Sequence, residues 1–487
     1  MELFRYSAGE LSRMIKSKEC SSVEITNSVL KRIEATEPQI GAYVTVTPEE
    51  ALKKAKEVDE KIARGEILSP LAGIPMGIKD NICQKGTLTT CSSKMLSNFI
   101  SPYDATVIEH LRQNDVVFTG KLNMDEFAMG STCETSYYKK TKNPRNLQHV
   151  PGGSSGGSAA SVAAGSAVLS IGSDTGGSVR CPAAWCGLVG LKPTYGAVSR
   201  YGLIAFASSL DQIGPITRTT EDNALLFNAL CGADERDATS SKIDHPDYTS
   251  FLNGSIKGLK IGLPKEYFGE GLNPLARKKI DGAVEALKAA GAIISEISLP
   301  STGDALPAYY IISSAEASSN LSRFDGIKYG YRSENYSDLV DLYVKSRSEG
   351  FGDEVKRRIM LGTFVLSSGF FDAYYGRAKK LQRQIQGEFD KAFNSCDLIL
   401  TPTSPFTAFK FGENAGNPIG NYLADLCTVT VNIAGLPAIS VPCGAIDNGL
   451  PVGMQLIAPK FREDLLFNVS SCYEKMTGGF MPVADIE

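Results

Sequence analysis

Apolar residues in the first 65 positions recur every three to four residues, which is the spacing of amphipathic helices. Ser7 and Glu10 form a capping box in front of the first helical pattern. A second helix is predicted over residues 23–33, and a third is predicted to begin with a capping box at Thr47 and to end near Gly65. The N-terminal segment is therefore predicted to be helical.

Beyond residue 65, short apolar runs alternate with amphipathic stretches. The apolar runs predict strands at Ile74–Ile78, Val116–Gly120, Val168–Gly172, Lys260–Leu263, Ile293–Ile297, Leu398–Leu400, Ala438–Val441 and Met454–Ile457. The amphipathic stretches predict helices at Ala105–Asn114, Ser155–Ala164, Pro274–Ala290, Asp353–Asn394 and Glu463–Met476. The longest of these helices is expected to break near Gly362 or Gly369, and the polar segment 230–256 is expected to be a surface loop. This alternation is typical of α/β folds with a mixed, largely buried sheet.

Composition and charge narrow the class of function. The chain has 487 residues, of which 43% are hydrophobic, as in globular proteins with a large core. Its net charge of −4 argues against a protein that binds nucleic acid through its own surface. The densest basic cluster (Lys139, Lys140, Lys142 and Arg145) is more typical of a solvated loop than of a phosphate-binding edge.

The cysteine pattern and the lack of long apolar runs bear on metal and membrane functions. The 11 cysteines lack the paired spacing of a zinc site, so no metal site is predicted. The N-terminus lacks the apolar stretch of a signal peptide, and no run of about 18 apolar residues predicts a membrane span. We therefore expect a cytoplasmic chain without membrane contact.

The loop over residues 173–182 contains two adjacent glycines followed by a serine. Gly176 and Gly177 permit a close approach of the backbone to a ligand. The N–H groups of Thr175, Gly176, Gly177 and Ser178 would face a developing oxyanion while the Ser178 hydroxyl attacks a carbonyl carbon. The alternative is a tight glycine turn with a purely structural role.

Lys79 and the loop over residues 151–159 supply candidate proton acceptors. Lys79 ends an apolar stretch, and burial would lower its pKa so that the neutral amine acts as a base, although the neighbouring Asp80 would oppose that shift. Ser154 and Ser155 carry hydroxyl groups that relay a proton. The alternatives are a surface lysine and a phosphate-binding loop, but the loop lacks both a Gly-Lys-Ser/Thr ending and a Gly-x-Gly-x-x-Gly pattern.

Histidine, the usual base of serine hydrolases, is scarce in this chain. Of its three histidines, His110 falls in a predicted helix and His245 in a polar loop. His149 precedes the first serine loop and is the one histidine placed to serve as a base, but a structural or surface role is the favoured interpretation for it.

These motifs together resemble the amidase signature family, through Gly77–Asn81, Gly152–Ala160 and Gly172–Tyr195. The resemblance implies a Ser-Ser-Lys triad in which Ser178 is the nucleophile, Ser154 is a bridging serine beside a cis peptide bond, and Lys79 is the base. Thr175, Gly176 and Gly177 are then expected to line the oxyanion hole. It also implies one amidase domain over residues 1–487, with an N-terminal helical wrap at 1–65 and, at 66–487, an α/β core whose central mixed sheet is sandwiched between helices.

Within that family, further segments are similar to the glutaminase subunits of tRNA-dependent amidotransferases: Leu11–Ser12, Lys121–Ser131, Ala315–Leu321, Phe324–Gly326 and Arg357–Thr363. This resemblance implies that the chain hydrolyses glutamine. A glutamine substrate needs a cation and an anion for its α-carboxylate and α-ammonium groups. Arg358 and Asp425 match positions with these roles, and Tyr309 is expected nearby. Without the resemblance, Arg358 would be interpreted as a surface arginine and Asp425 as a helix-cap or surface carboxylate.

The same resemblance implies partners. The ammonia is expected to pass to a partner subunit, where it converts Glu-tRNA(Gln) to Gln-tRNA(Gln). We expect a heterotrimer with B-type and C-type subunits, in which the partner holds most of the tRNA. ATP and Mg²⁺ are expected on that partner, and no cofactor is expected in this chain, which shows no convincing nucleotide motif.

Two other functions remain open at this point. A stand-alone amidase for small or fatty amides would share the triad, although the sequence shows no apolar entrance or membrane element of the kind a fatty amide enzyme needs. A non-catalytic scaffold in a tRNA-processing assembly is the other, against which the presence of Lys79, Ser154 and Ser178 argues.

Overall fold

The computed structural model describes residues 2–414 and 418–486. Its strands are β1 (Tyr43–Val46), β2 (Pro75–Lys79), β3 (Val117–Leu122), β4 (Leu169–Asp174), β5 (Val189–Lys192), β6 (Gln212–Thr217), β7 (Lys260–Pro264), β8 (Ile293–Ile297), β9 (Leu398–Pro402), β10 (Ala438–Ala445) and β11 (Pro451–Ile457). Its α-helices are α1 (Ala8–Ser17), α2 (Ser22–Ile40), α3 (Pro48–Ala63), α4 (Thr106–Gln113), α5 (Gly156–Ala164), α6 (Arg180–Cys186), α7 (Thr220–Leu230), α8 (Pro274–Ala289), α9 (Thr302–Asn320), α10 (Leu339–Gly350), α11 (Asp353–Leu366), α12 (Arg377–Ala392), α13 (Pro418–Tyr422), α14 (Val429–Ala434) and α15 (Glu463–Met476).

The strands form one mixed sheet of 11 strands in the order β1-β3-β2-β4-β6-β5-β10-β11-β9-β7-β8. Strand β2 runs parallel to both β3 and β4, and β7 runs parallel to both β8 and β9. The other neighbouring pairs are antiparallel. Because β2 and β4 are parallel neighbours, their carboxyl ends meet at one edge, which brings Lys79 beside the loop that follows Asp174.

Helices pack on both faces of the sheet. One apolar cluster joins the sheet to α1, α2, α4, α7, α8 and α15, and a second joins it to α9, α11, α12 and α14. Leu398 and Leu400 belong to the first cluster and Ile399 to the second. Successive side chains of a strand point to opposite faces, so the two clusters lie on opposite sides of the sheet. The predicted α/β fold with a central mixed sheet between helices is confirmed.

The apolar pattern located most of these elements. All eight predicted strands coincide with strands of the sheet, and all five predicted helical stretches are helical. The Asp353–Asn394 stretch divides into α11 and α12 around Gly369, whereas Gly362 stays inside α11. The 230–256 segment is mostly a loop, but Tyr248 within it is buried.

Other expectations were incomplete or wrong. The capping box of Ser7 and Glu10 is present, but the Thr47 side chain makes no cap hydrogen bond. The N-terminal segment is not purely helical, because β1 pairs antiparallel with β3. Strands β5 and β6 contain glycine or proline, which count against a strand in a sequence pattern, and both were missed.

Within the described ranges, no helix is both long and apolar enough to cross a membrane. In the same part of the chain, no group of three or more histidine, cysteine, aspartate or glutamate side chains is arranged to hold a metal ion.

Candidate active site

The Lys79 amine at the end of β2 is surrounded by serine oxygens. Its Nζ atom lies 2.8 Å from Ser154 Oγ, 2.8 Å from Ser155 Oγ and 3.0 Å from Ser173 Oγ, with the Ser173 carbonyl oxygen at 3.2 Å. All four side chains are buried. A neutral amine has two N–H groups and a lone pair, so one of these hydroxyls can donate to it. This is the arrangement that a lysine base requires.

Burial lowers the pKa of Lys79 to about 7. The carboxylates that oppose this shift are chiefly Asp125 and also Asp174 and Asp211. Asp80, which was predicted to oppose it, instead accepts hydrogen bonds from Thr90 and lies 3.5 Å from the amine of Lys121. Near neutral pH, a substantial fraction of Lys79 is therefore unprotonated.

The first serine loop places Ser154 against this amine. The peptide bond between Gly153 and Ser154 is cis, as the family resemblance implied. The Asp125 N–H donates to the Ser154 carbonyl oxygen at 3.1 Å. A side chain at position 153 would collide with the Asp125 carboxylate, so the close contact requires glycine there. Asp125 therefore fixes the backbone on either side of the cis bond.

The second loop is held by a buried ion pair. The Asp174 carboxylate accepts from the Gly177 N–H at 2.8 Å and the Val179 N–H at 3.2 Å, and it pairs with Arg180 at 2.9 Å. Burial raises the pKa of Asp174, but Arg180 outweighs burial and holds that pKa well below its usual range. The buried Asp174–Arg180 pair therefore holds the turn that presents Ser178.

Ser178 adjoins the first loop and is the least buried member of the predicted triad. The Ser155 N–H donates to the Ser178 carbonyl oxygen at 3.1 Å, which joins the two loops. Ser178 is 7% exposed, whereas Ser154 and Lys79 are fully buried. Of the predicted triad, Ser178 is therefore the member that a substrate can reach.

The loop before Ser178 carries unpaired backbone donors. Among the described residues, the N–H groups of Thr175, Gly176 and Ser178 have no hydrogen-bond partner within the chain. The Gly177 N–H is already bound to Asp174. The unpaired N–H groups of residues 175, 176 and 178 can donate to an oxyanion. The role of Gly177 in the oxyanion hole stays a prediction.

Tyr309 and Thr428 pack against this glycine pair. A side chain at position 176 would collide with the Tyr309 ring, and one at position 177 would collide with Thr428. Thr428 Oγ1 lies 2.6 Å from the Gly176 carbonyl oxygen and 3.0 Å from that of Asp425, so it can donate to either. The structure thus brings Tyr309 and Asp425, two of the predicted substrate residues, next to the nucleophile loop.

Arg358 is a buried cation with an unpaired donor. It is 3% exposed, its Nε donates to Glu354 Oε1 at 2.7 Å, and its guanidinium carbon lies 4.4 Å from the centre of the Tyr310 ring. Its Nη1 is buried without a partner among the described residues. Leaving such a donor unpaired costs about 1–3 kcal/mol, so an anionic ligand group is the natural partner.

Asp425 supplies the opposite charge. Its Oδ2 accepts from Ser131 Oγ at 2.7 Å, and burial raises its pKa to about 7, while Ser131 and Arg358 lower it. Arg358 and Asp425 therefore lie within electrostatic reach of each other. The pair offers one cation and one anion to a ligand that carries both charges.

The sequence model of the amidase family matches residues 24–467 of this chain. The chain belongs to the amidase family. The amidase is 59% identical over 477 residues to the A-type subunit of glutamyl-tRNA(Gln) amidotransferase from Carboxydothermus hydrogenoformans, with 98% of each chain covered.

Solved structures give the same family. The amidase superposes on the A-type subunit of glutamyl-tRNA(Gln) amidotransferase from Thermotoga maritima with a TM-score of 0.83 and 38% identity, over 100% of this chain and 98% of that one. It also superposes on the native peptide amidase from Stenotrophomonas maltophilia, with a TM-score of 0.82 and 29% identity over 99% of both chains. The fold is therefore common to amidases of different kinds, and identity is higher to the amidotransferase subunits.

Several contacts in the amidase site were missing from the sequence-based interpretation. Asp125 and Ser131 lie in a segment whose family resemblance was noted, but their roles depend on contacts made after folding. The Asp174–Arg180 pair lies in the second serine loop, where a charge at each end was a usable signal. His149 packs beside Lys410, and Lys79 rather than His149 contacts the serines.

Proposed function

We propose that this amidase hydrolyses glutamine as the A-type subunit of a tRNA-dependent amidotransferase. The observation that carries the proposal is the Lys79–Ser154 contact beside the unpaired N–H groups of Thr175 and Gly176. The 59% identity to such an amidotransferase chain, over nearly all of both chains, favours this function over that of a stand-alone amidase. The same contact argues against a scaffold without catalytic activity.

The reaction begins at Ser178. Its Oγ attacks the side-chain amide carbon of glutamine, and its proton passes through Ser154 to the neutral Lys79 amine. The carbonyl oxygen gains negative charge, which the unpaired N–H groups of the loop stabilise. The proton then returns from Lys79 to the leaving nitrogen, ammonia departs, and a glutamyl ester remains on Ser178. Water hydrolyses that ester by the same proton route and releases glutamate.

Arg358 and Asp425 select the substrate in this proposal. The unpaired Arg358 Nη1 binds the α-carboxylate and Asp425 binds the α-ammonium group, with Tyr309 between the clamp and the glycine pair. The ammonium of a bound substrate favours the charged form of Asp425, which compensates the burial that raises its pKa.

Membership of a multi-subunit amidotransferase follows from the relatives, and its composition is part of the proposal. The amidase works with B-type and C-type partners in a heterotrimer, which binds tRNA mainly through the partner. ATP and Mg²⁺ act on that partner, where the ammonia converts Glu-tRNA(Gln) to Gln-tRNA(Gln). Because this reaction serves protein synthesis, we assign it to the cytoplasm.

An exposed aromatic surface supports a partner on this side of the amidase. Phe364, at the end of the helix that carries Arg358, lies 4.5 Å from the Phe370 ring and 5.7 Å from the Tyr374 ring. All three rings are more than one-third exposed, as is Met360 on the same helix at 73%. Contiguous exposed apolar surface of this kind is typical of protein interfaces. It was not expected from the sequence, and an entrance for apolar amides is its alternative use.

The acyl-enzyme tests this function directly. The amidase purified with its partners is incubated with glutamine and hydroxylamine, which traps a glutamyl ester as γ-glutamyl hydroxamate. The proposal expects hydroxamate from the native complex and none from Ser178→Ala. Hydroxamate formation that is equal in both would refute Ser178 as the nucleophile. Turnover of neutral amides without any glutamine turnover would instead favour the stand-alone amidase.

A further inference from the structure

The start of α11 is capped by a residue from a distant part of the chain. Both carboxylate oxygens of Glu126 accept the Gly352 N–H, at 2.9 and 3.1 Å, and Gly352 directly precedes α11. In a capping box the residue three positions after the cap accepts this N–H, but that residue is Val355, so the Glu126 carboxylate accepts it instead. A carboxylate at a helix N-terminus also interacts favourably with the helix dipole.

The fit between Glu126 and α11 is close. A side chain at position 352 would collide with the Glu126 carboxylate, so the contact depends on glycine there. The next residue, Phe127, contacts the Phe351 ring with a centroid distance of 5.6 Å. Two consecutive residues of the 126–127 turn therefore hold the two residues that lead into α11.

Arg358 depends on that helix start. Glu354, in the first turn of α11, accepts from Arg358 Nε at 2.7 Å and from the Tyr422 hydroxyl at 2.8 Å. A shift or fraying of the first turn would move the guanidinium group and its unpaired Nη1 with it. A chain of contacts thus runs from Glu126 through Gly352 and the first turn of α11 to Arg358.

The other end of the same segment belongs to the catalytic loop. Asp125, the neighbour of Glu126, donates its N–H to the Ser154 carbonyl oxygen at 3.1 Å. A few residues later, Ser131 binds Asp425 at 2.7 Å. One short segment therefore contacts the bridging serine, the helix of Arg358 and the carboxylate of Asp425.

We propose that Glu126 is a positioning residue, which sets Arg358 relative to Ser178 and so makes the amidase selective for amides that carry an α-carboxylate. This inference rests on the proposed function. Glu126 touches no reacting atom, and its effect is confined to recognition of the charged end of the substrate.

The test compares Glu126→Ala, Glu126→Gln and Gly352→Ala in the assembled complex. Glu126→Ala removes the cap, Glu126→Gln keeps one acceptor oxygen, and Gly352→Ala disturbs the same contact from the other side. We expect Glu126→Ala and Gly352→Ala to raise KM for glutamine about ten-fold, with a smaller rise for Glu126→Gln. The rate at which a neutral sulfonyl fluoride labels Ser178 should change less than about two-fold, because that reagent does not use Arg358.

A double variant separates positioning from general stability. If Glu126 acts through Arg358, Glu126→Ala should add little further loss to Arg358→Ala. The inference is overturned if KM for glutamine is unchanged in all three variants, if labelling of Ser178 falls in step with glutamine turnover, or if the two losses add fully. Failure of the proposed function would look different, because the native complex itself would then not hydrolyse glutamine.

Discussion

Lys79 Nζ lies 2.8 Å from Ser154 Oγ, and both residues are fully buried. The parallel pairing of β2 and β4 creates this contact, since it delivers the lysine to the edge where both serine loops begin. A charged amine is disfavoured at a buried position, so the burial of this contact lowers the pKa of Lys79 to about 7.

The first prediction concerns pH. With a Lys79 pKa of about 7, the fraction of neutral amine rises with pH and is about one-half at that value. The rate at which a neutral sulfonyl fluoride labels Ser178 should therefore rise about ten-fold per pH unit below 7 and level off above it. Lys79→Arg, which stays protonated, should label slowly at every pH. A native rate that is flat between pH 5 and 8 would contradict the assignment of the base.

The substrate clamp gives the second prediction. Arg358→Ala should raise KM for glutamine about 10- to 100-fold, because a charge-assisted hydrogen bond of about 1.5–3 kcal/mol is lost. Steady-state kinetics on glutamine and on a neutral aliphatic amide separate a loss of carboxylate binding from a general loss of activity. Only the KM for glutamine should rise. Lys356→Ala is the matched control, since Lys356 lies on the same helix in a surface pair with Asp353. Equal losses on both amides would exclude Arg358 as the carboxylate site.

The third prediction concerns stability. Asp174→Asn removes the charge that pairs with the fully buried Arg180, which should lower the free energy of unfolding by about 3–5 kcal/mol. Denaturant unfolding of the variant measures this loss. Asp281→Asn, which breaks the half-exposed pair with Arg277, should cost less than about 1 kcal/mol. Similar small losses in both variants would show that the buried pair does not hold the nucleophile loop.

The aromatic surface gives the fourth prediction. Phe370→Asp places a charge among exposed rings and should reduce co-purification of the partner subunits, while labelling of Ser178 stays at the native rate. A polar substitution at Ile67, a fully exposed residue in the segment after α3, serves as the control. Unchanged assembly together with weaker turnover of apolar amides would mean that this surface admits substrate instead.

Some strands and helices could be predicted from the sequence, and others could not. Strands such as Leu398–Pro402 and helices such as Glu463–Met476 are visible because a buried face imposes a strict spacing of apolar residues. Strand β6 is equally buried but contains Gly214 and Pro215, and it forms because neighbours on both sides pair with it. Such pairing joins distant residues and leaves no local pattern.

Some residues of the site could likewise be predicted from local motifs, and others could not. Lys79, Ser154 and Ser178 belong to local motifs whose chemistry suggests a role, and the structure brings their segments together. The role of Glu126 depends on a contact with Gly352, 226 positions away in the chain, which no local motif contains. The role of a residue that positions another side chain therefore cannot be predicted from a local sequence motif.

The most direct test of the central claim is ammonia release from glutamine by the amidase co-purified with its partners. It is measured with and without ATP and glutamyl-tRNA, and Ser178→Ala is the control. The account predicts release that requires Ser178 and rises when ATP and glutamyl-tRNA are present. Release that persists in Ser178→Ala would contradict the mechanism. Release that requires Ser178 but ignores ATP and tRNA, with no partner recovered, would contradict the amidotransferase role.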